Sequence, residues 1–309
     1  MPVEITALVE KPRPPEASER LAATYGMGNH AGAATTQRTE HANAQRPAQA
    51  DAQRTEHATA QGPERATARG PERTDPQGPE QADAQRTEHA TAERQSALAR
   101  RLQSLGVPAD IAFRATSPDM YTALVEAFRA LPPAEPAPDG PGETLIVIGE
   151  STHAVDVARI VGKSLRLDAG DILFAGRNAA AAGIEGRHRI TGAHDARQRA
   201  KRLRRSDTPS VVAVEAALDE SIWAASIVEA IRPAGVWVVV DVSRKTSDIA
   251  HHLQGLRRVD AIALRATMSS GDPASPLALG LPVALLEGRD PTPHAWAAML
   301  CERLSLVGG

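Results

Sequence analysis

Thr144-Leu145-Ile146-Val147-Ile148-Gly149-Glu150-Ser151-Thr152-His153-Ala154-Val155-Asp156 is the stretch that decides the fold. Its opening is a short, unbroken apolar run rich in β-branched residues, the pattern of a strand buried on both faces. Gly149 ends the run, and the residues after it take helical spacing. Runs of the same kind recur at Asp171–Ala175, Ser210–Val214, Val236–Val242, Val259–Leu264 and Pro282–Leu286, most of them separated by helix-length stretches. Six buried strands alternating with helices predict an α/β domain over 143–309, built on a doubly wound, mainly parallel sheet. Ligands bind such sheets at the carboxyl ends of the strands, so the residues after Gly149 stand where chemistry is expected.

A phosphate-binding loop at this place reads GxxxxGK[ST]: the second glycine lets the backbone curl round the phosphates, the lysine neutralises them and the hydroxyl holds magnesium. Gly149 supplies the first position, but Ala154, Val155 and Asp156 fill the other three. The working parts are therefore missing, and Asp156 adds a negative charge. Gly162-Lys163-Ser164 imitates the end of the motif but falls well inside the predicted helix. Ser151, Thr152 and His153 remain candidates at the first strand's end. A Ser-His hydrolase would show GxSxG, which is absent, so the simpler expectation is a helix cap from Ser151 or Thr152. Ser243, Arg244 and Lys245, after the Val236–Val242 strand, form either an anion site or a polar turn.

Outward from the α/β domain, Pro132 to Gly142 carries five prolines and reads as a linker, bounded as 133–142. Before it, Leu98, Leu102 and Leu105 share one helical face, Gly106-Val107-Pro108 breaks the helix, and Leu124, Phe128 and Leu131 mark another, begun at Ser117-Pro118-Asp119. This is a helical module over 97–132. From Gly26 to Ala97, 72 residues contain no Val, Ile, Leu, Phe, Tyr or Trp. Such a segment cannot bury enough apolar surface to offset its ordering entropy, so 27–96 is expected to be a disordered tether. Within it, seven octads run from Arg38 to Glu93, beginning RTEHANAQ and ending RTEHATAE. Their recurring histidines follow from duplication rather than from metal binding. Residues 1–26 form a small β-α unit: Val3, Ile5, Ala7 and Val9 alternate, then Ala17, Leu21, Ala22 and Tyr25 follow at helical spacing. A unit of that size has to dock onto something to be stable.

The net charge is −3 and the isoelectric point near 6.4, which argues against a surface built wholly for nucleic acid. Cys301 is the single cysteine, excluding a disulfide framework or a multi-cysteine metal site and fitting a reducing cytoplasm. No secretory leader is read at the N-terminus, and no run approaches the roughly 20 apolar residues of a membrane span.

The layout of β-α unit, tether, helical module, Pro-rich linker and α/β domain resembles the flagellar GTPases (FlhF type) of the signal-recognition-particle family. The likeness is best in the opening segment with Leu21 and Tyr25-Gly26, in Val238-Val239-Val240-Asp241-Val242-Ser243-Arg244-Lys245-Thr246-Ser247-Asp248, and from Asp260 to Val283 with its Leu279-Gly280-Leu281-Pro282-Val283. The resemblance implies GTP and magnesium as ligands and a flagellar role. It also exposes departures. Where the family carries Asp-Thr-Ala-Gly-Arg this chain has Glu215-Ala216-Ala217-Leu218-Asp219, and where it carries Thr-Lys-x-Asp this chain has Arg265-Ala266-Thr267-Met268. With the altered phosphate loop, three nucleotide elements are degraded together. The expected function is therefore a non-catalytic scaffold or regulator acting through protein partners, in flagellar assembly or placement, with no cofactor. The alternative is a nucleotide-binding (GTP) switch or weak GTPase with an altered phosphate loop, keeping nucleotide at Gly149, Ser151, Thr152, His153, Ser243, Arg244 and Lys245. An unrelated enzyme using Ser151, Thr152 and His153 is a distant third.

Arg197, Arg199, Lys201, Arg202, Arg204 and Arg205 place six basic residues in nine. They form a solvated helix face or a patch for an acidic partner or an anionic membrane, which would put the protein peripherally at the inner face. No aromatic residues interleave, so nucleic acid is not an expected partner. Trp223, Trp237 and Trp296 are expected in the core. His294 and the pair His251-His252 show no metal-ligand spacing.

Overall fold

The computed structural model describes residues 79–177 and 179–307. The expected β-α unit over 1–26 and the tether as far as Gly78 lie outside the described residues. The described residues open with a long helix, α1 (Pro79–Ser104). It begins well before Ala97, so the end of the 27–96 stretch is not a disordered tether but helix. The physical reason is cooperativity. Leu102 and Leu105 are buried and anchor the last turns, and extending a formed helix through Ala, Gln, Glu and Arg costs far less than nucleating one. Pro79 suits a first helical position, and the exposed pairs Asp83–Arg86 (3.4 Å) and His89–Glu93 (3.2 Å) lie along the polar turns.

Gly106, in the left-handed region at φ +83°, ends the helix; a Cβ there would fall 2.4 Å from the backbone nitrogen of Ser275, so only glycine fits. Then follow α2 (Ala109–Ala112) and α3 (Met120–Phe128). The start signal at Ser117-Pro118-Asp119 is real: Asp119 is the N-cap, its Oδ2 accepting the Thr122 amide at 2.8 Å. That hydrogen bonding holds the Asp119 carboxyl below its ordinary value.

The α/β domain contributes β1 (Thr144–Gly149), α4 (Ser151–Ser164), β2 (Leu173–Ala175), β3 (Arg189–Ile190), α5 (Ala193–Leu203), β4 (Ser210–Glu215), α6 (Ser221–Ile231), β5 (Gly235–Asp241), α7 (Thr246–Gly255), β6 (Ala261–Arg265), β7 (Val283–Leu286) and α8 (Pro293–Val307). The six predicted runs are all strands. The seventh, β3, has only two residues. The sheet order is β3-β2-β4-β1-β5-β6-β7, parallel throughout. Thr144 pairs with Ser210 and Gly149 with Glu215 on one side of β1, while Leu145 pairs with Gly235 on the other.

One face of the sheet, with Ile146, Ile148, Val212, Val238, Ile262 and Leu264, packs against α5 to α8 and the helical module. The Phe128 and Trp296 rings stack at 5.1 Å, joining α3 to α8. The opposite face, with Val147, Phe174, Ala213, Trp237, Ala263 and Leu285, packs against Ala154, Val155, Val157, Ala158 and Val161 of α4. Trp237 and Trp296 are buried as expected; Trp223 is half-buried. Among the described residues, no helix is long and apolar enough to cross a membrane.

Candidate functional site

From β1 the chain runs toward β2 on one side, whereas from β5 it runs toward β6 on the other. The carboxyl ends of β1 and β5 therefore flank the crevice where a doubly wound sheet takes its ligand. Four of the expected residues, Gly149, His153, Ser243 and Arg244, do come together here. Ser243 and Arg244 hydrogen-bond to side chains of this chain there.

The connection from β1 to α4 is Glu150 alone. The Ala154 amide already donates to the Glu150 carbonyl at 2.9 Å, so Ser151, Thr152 and His153 form the first helical turn rather than a loop. The N-cap is Glu150, without a side-chain cap bond. That corrects the expectation of a cap from Ser151 or Thr152. Gly149 has a packing role: a Cβ on it would lie 2.9 Å from the Val239 Cβ. Its lack of a side chain admits the neighbouring strand.

Across the crevice, Arg244 Nη2 donates to Glu150 Oε1 at 2.9 Å. The guanidinium that might have met a phosphate is held by the chain's own carboxylate. Ser243 is also engaged, its hydroxyl and amide donating to Asp241 Oδ1 at 2.6 and 2.9 Å. Burial works against ionisation of Asp241. The two Ser243 hydrogen bonds, with His153 and Arg244 nearby, outweigh it and hold the carboxyl below its ordinary value. Lys245 is exposed at the N-cap position of α7.

The turns after β4 and β6 are closed in the same way. Glu215 Oε2 accepts the Arg177 amide at 2.7 Å, Glu220 Oε2 accepts the Ala217 amide at 3.1 Å, and Glu220 pairs with the Arg177 guanidinium. Thr267 is fully buried and donates through its amide (2.6 Å) and hydroxyl (2.8 Å) to Glu287 Oε1. Arg265 Nη1 lies 3.9 Å from Asp156 Oδ2, so the misplaced charge of Asp156 has a cationic neighbour.

A cavity of about 30 Å³ remains between Gly149, Glu150, His153, Leu218, Val239, Asp241, Arg244 and His252. That is room for about one water, against the several hundred Å³ of a typical ligand site. His252 went unnoticed in the sequence as a wall of this site. It is 3% exposed, its Nδ1 lies 3.0 Å from the Leu218 carbonyl, and burial pushes its pKa down. Sequence spacing carries no sign of it, because its partners come from other elements. GTP and magnesium do not fit this donor set: the curled loop, the lysine and the hydroxyl of a phosphate site are all replaced. Among the described residues no group of three or more His, Cys, Asp or Glu is placed to hold a metal ion.

The basic run lies elsewhere. It occupies α5 and the residues just after it, and a helix joining parallel strands ends at the amino edge of the sheet, opposite the crevice. Arg204 confirms the placement by donating to the carbonyl of Ile231, the last residue of α6, at 3.1 Å. Arg199 is half-buried, pairing with Asp195 at 3.4 Å and donating to the Arg189 carbonyl at 2.9 Å. Arg197, Lys201, Arg202 and Arg205 are exposed and have no ion-pair partner among the described residues.

No protein-family model matches the chain, and no curated protein matches it. Solved structures do. The signal recognition particle 54 kDa protein from Aeropyrum pernix K1, in complex with GDP, is 15% identical over 71% of this chain and 68% of that one, with a TM-score of 0.47. FlhF complexed with GTP and Mg²⁺ is 12% identical over 67% of this chain and 98% of that one, at 0.49. The signal recognition particle receptor FtsY from Elizabethkingia anophelis, in complex with GDP, is 11% identical over 58% and 70%, at 0.42. Each is a likeness in fold, and the nucleotides are those of the named proteins.

Proposed function

We propose that this chain is a non-catalytic scaffold: a doubly wound α/β domain whose ligand crevice is closed by its own side chains, and which works by docking a protein partner. The observation that carries the reading is the Glu150–Arg244 ion pair across the crevice, behind a β1–α4 connection one residue long. The rival reading, a GTP switch, would need Arg244 to leave Glu150 and the first turn of α4 to unwind before phosphates could enter. The exposed cations Arg197, Lys201, Arg202 and Arg205 support an acidic docking surface on the partner or an anionic membrane beside it. The flagellar setting rests on the sequence resemblance, and a clean deletion scored for flagellar number and position tests it.

Equilibrium titration with labelled GTP, GDP and ATP in the presence of magnesium tests the scaffold reading. The expected result is no saturable binding up to millimolar nucleotide. Micromolar binding that weakens in Lys245→Ala would overturn it in favour of the switch.

A further inference from the structure

A parallel sheet needs cover on both faces, and here the two faces are covered unequally. One carries α5 to α8 and the helical module. On the other, the only sheet-packing helix among the described residues is α4, which rests on β1, β4 and β5. Beyond it, β6 and β7 are faced by an extended strap, with Ala134 and Ala137 of the Pro-rich linker packed on the sheet and Pro133 bridged to Val283. Between strap, α4 and sheet edge lies a cavity of about 640 Å³, in the size range of real binding sites. Its walls are largely apolar, including Ile160 and Val161 of α4, Trp237, Leu285 and Phe128. Ile160 is 36% exposed there. The sheet residues on this side are small: Ala261 and Ala263 are buried, and Ala284 at the β7 edge is half-buried.

The chain contains one apolar segment outside the described residues. Between Gly26 and Ala97 there is no Val, Ile, Leu, Phe, Tyr or Trp, so the candidates are Val3, Ile5, Leu8, Val9, Leu21 and Tyr25. Ala17, Leu21 and Tyr25 recur at a spacing of four, one face of a helix. A 26-residue segment with so few apolar side chains supplies no core of its own. About fifty residues, 27 to 78, separate it from the described chain, enough contour length for docking within the same chain.

We propose that the cavity between α4, the Pro-rich strap and β7 is the docking site for residues 1–26 of the same chain. Leu21 and Tyr25 enter the apolar cavity beside Ile160.

The test places a photo-crosslinking residue at Ile160 in the full-length protein, with a second variant carrying it at the exposed Ile222 as control. Unlabelled and ¹⁵N-labelled chains are mixed before irradiation, and the cross-linked peptides are mapped by mass spectrometry. Cross-links from position 160 to 1–26 within one isotopic chain, several-fold above those from position 222, are expected. Cross-links only between unlike chains would overturn the proposal by assigning the cavity to a second copy. Cross-links to neither, or no preference over position 222, would overturn it outright. As an independent readout in a Trp223→Phe background, deleting 2–26 is expected to increase acrylamide quenching of Trp237 and Trp296; unchanged quenching would count against docking.

Discussion

Glu150 and Arg244 meet at 2.9 Å although 94 positions separate them in the chain, and their ion pair spans the carboxyl ends of β1 and β5. Both side chains are about half exposed, so the pair contributes little to stability, about 0–1 kcal/mol. Its importance is that it occupies the crevice. Glu150→Gln is expected to leave the unfolding midpoint in urea nearly unchanged. It is also expected to confer no GTP binding in a fluorescence titration, because Ser151, Thr152 and His153 remain helical. Gain of micromolar binding in Glu150→Gln would mean that the ion pair alone closes the site.

Gly149 sits where a nucleotide-binding glycine would, yet its neighbour is Val239, whose Cβ would lie 2.9 Å from any Cβ added to the glycine. Gly149→Ala is expected to destabilise by about 1–3 kcal/mol, the usual cost of overpacking. Val239→Gly, which removes that Cβ, should recover part of the loss in the double variant, read by chemical denaturation as a coupling energy. Additive losses would show that the glycine is required for some reason other than this contact.

The strands were legible because a sheet buried on both faces imposes continuous apolar runs such as Leu145–Ile148. β3 was not, because Arg189-Ile190 is too short to carry a pattern. The start of α1 at Pro79 was hidden for a different reason: its first turns are polar octad sequence, and the helix extends through them from an anchor at Leu102 and Leu105. For the site, local sequence revealed the missing lysine and glycine after Gly149. It could not reveal that Arg244 is held by Glu150, Thr267 by Glu287, or that His252 lines the crevice. Those pairings join elements brought together only by strand order.

His252 bears on stability against pH. Its pKa is lowered in the folded protein from an ordinary 6.5, mainly by burial. The folded state thus resists protonation that the unfolded chain accepts. Stability from this group is fully present above pH 6.5 and falls as the pH drops through and below that value toward the folded pKa. His252→Asn, whose amide nitrogen stands near the Nδ1 position facing the Leu218 carbonyl, is expected to flatten the stability profile between about pH 7 and 5. Denaturation midpoints across that range check it; an unchanged slope would assign the acid loss elsewhere.

Thr267 is the third residue of the Arg265-Ala266-Thr267-Met268 stretch that the resemblance sets against Thr-Lys-x-Asp, and it is buried with both donors on Glu287 Oε1. Glu287→Ala leaves those two donors without their acceptor, for an expected loss of about 2–4 kcal/mol from two hydrogen bonds to a charged group. Thr267→Val removes one donor while keeping the shape, and should cost less. Equal costs for the two variants would indicate that the amide bond contributes nothing measurable.

Phe128 and Trp296 give the most direct handle on how the helical module is held. Their rings stack at 5.1 Å, both side chains are fully buried, and Arg101 adds a 2.8 Å hydrogen bond from its guanidinium to the Leu304 carbonyl on the same helix as Trp296. The ring contact carries most of the energy, since an aromatic core truncation costs about 3–5 kcal/mol while one half-buried hydrogen bond contributes about 1 kcal/mol. Phe128→Ala is therefore expected to destabilise strongly, and Arg101→Ala weakly. If the module and the α/β domain fold as one cooperative unit, Phe128→Ala shifts a single transition without changing its slope. If the stack instead joins two units that fold separately, hydrogen exchange should show α1 to α3 losing protection while β1, β4 and β5 keep theirs. A single cooperative transition is the expected outcome, because Leu102, Phe128, Trp296 and Ile262 belong to one continuous core.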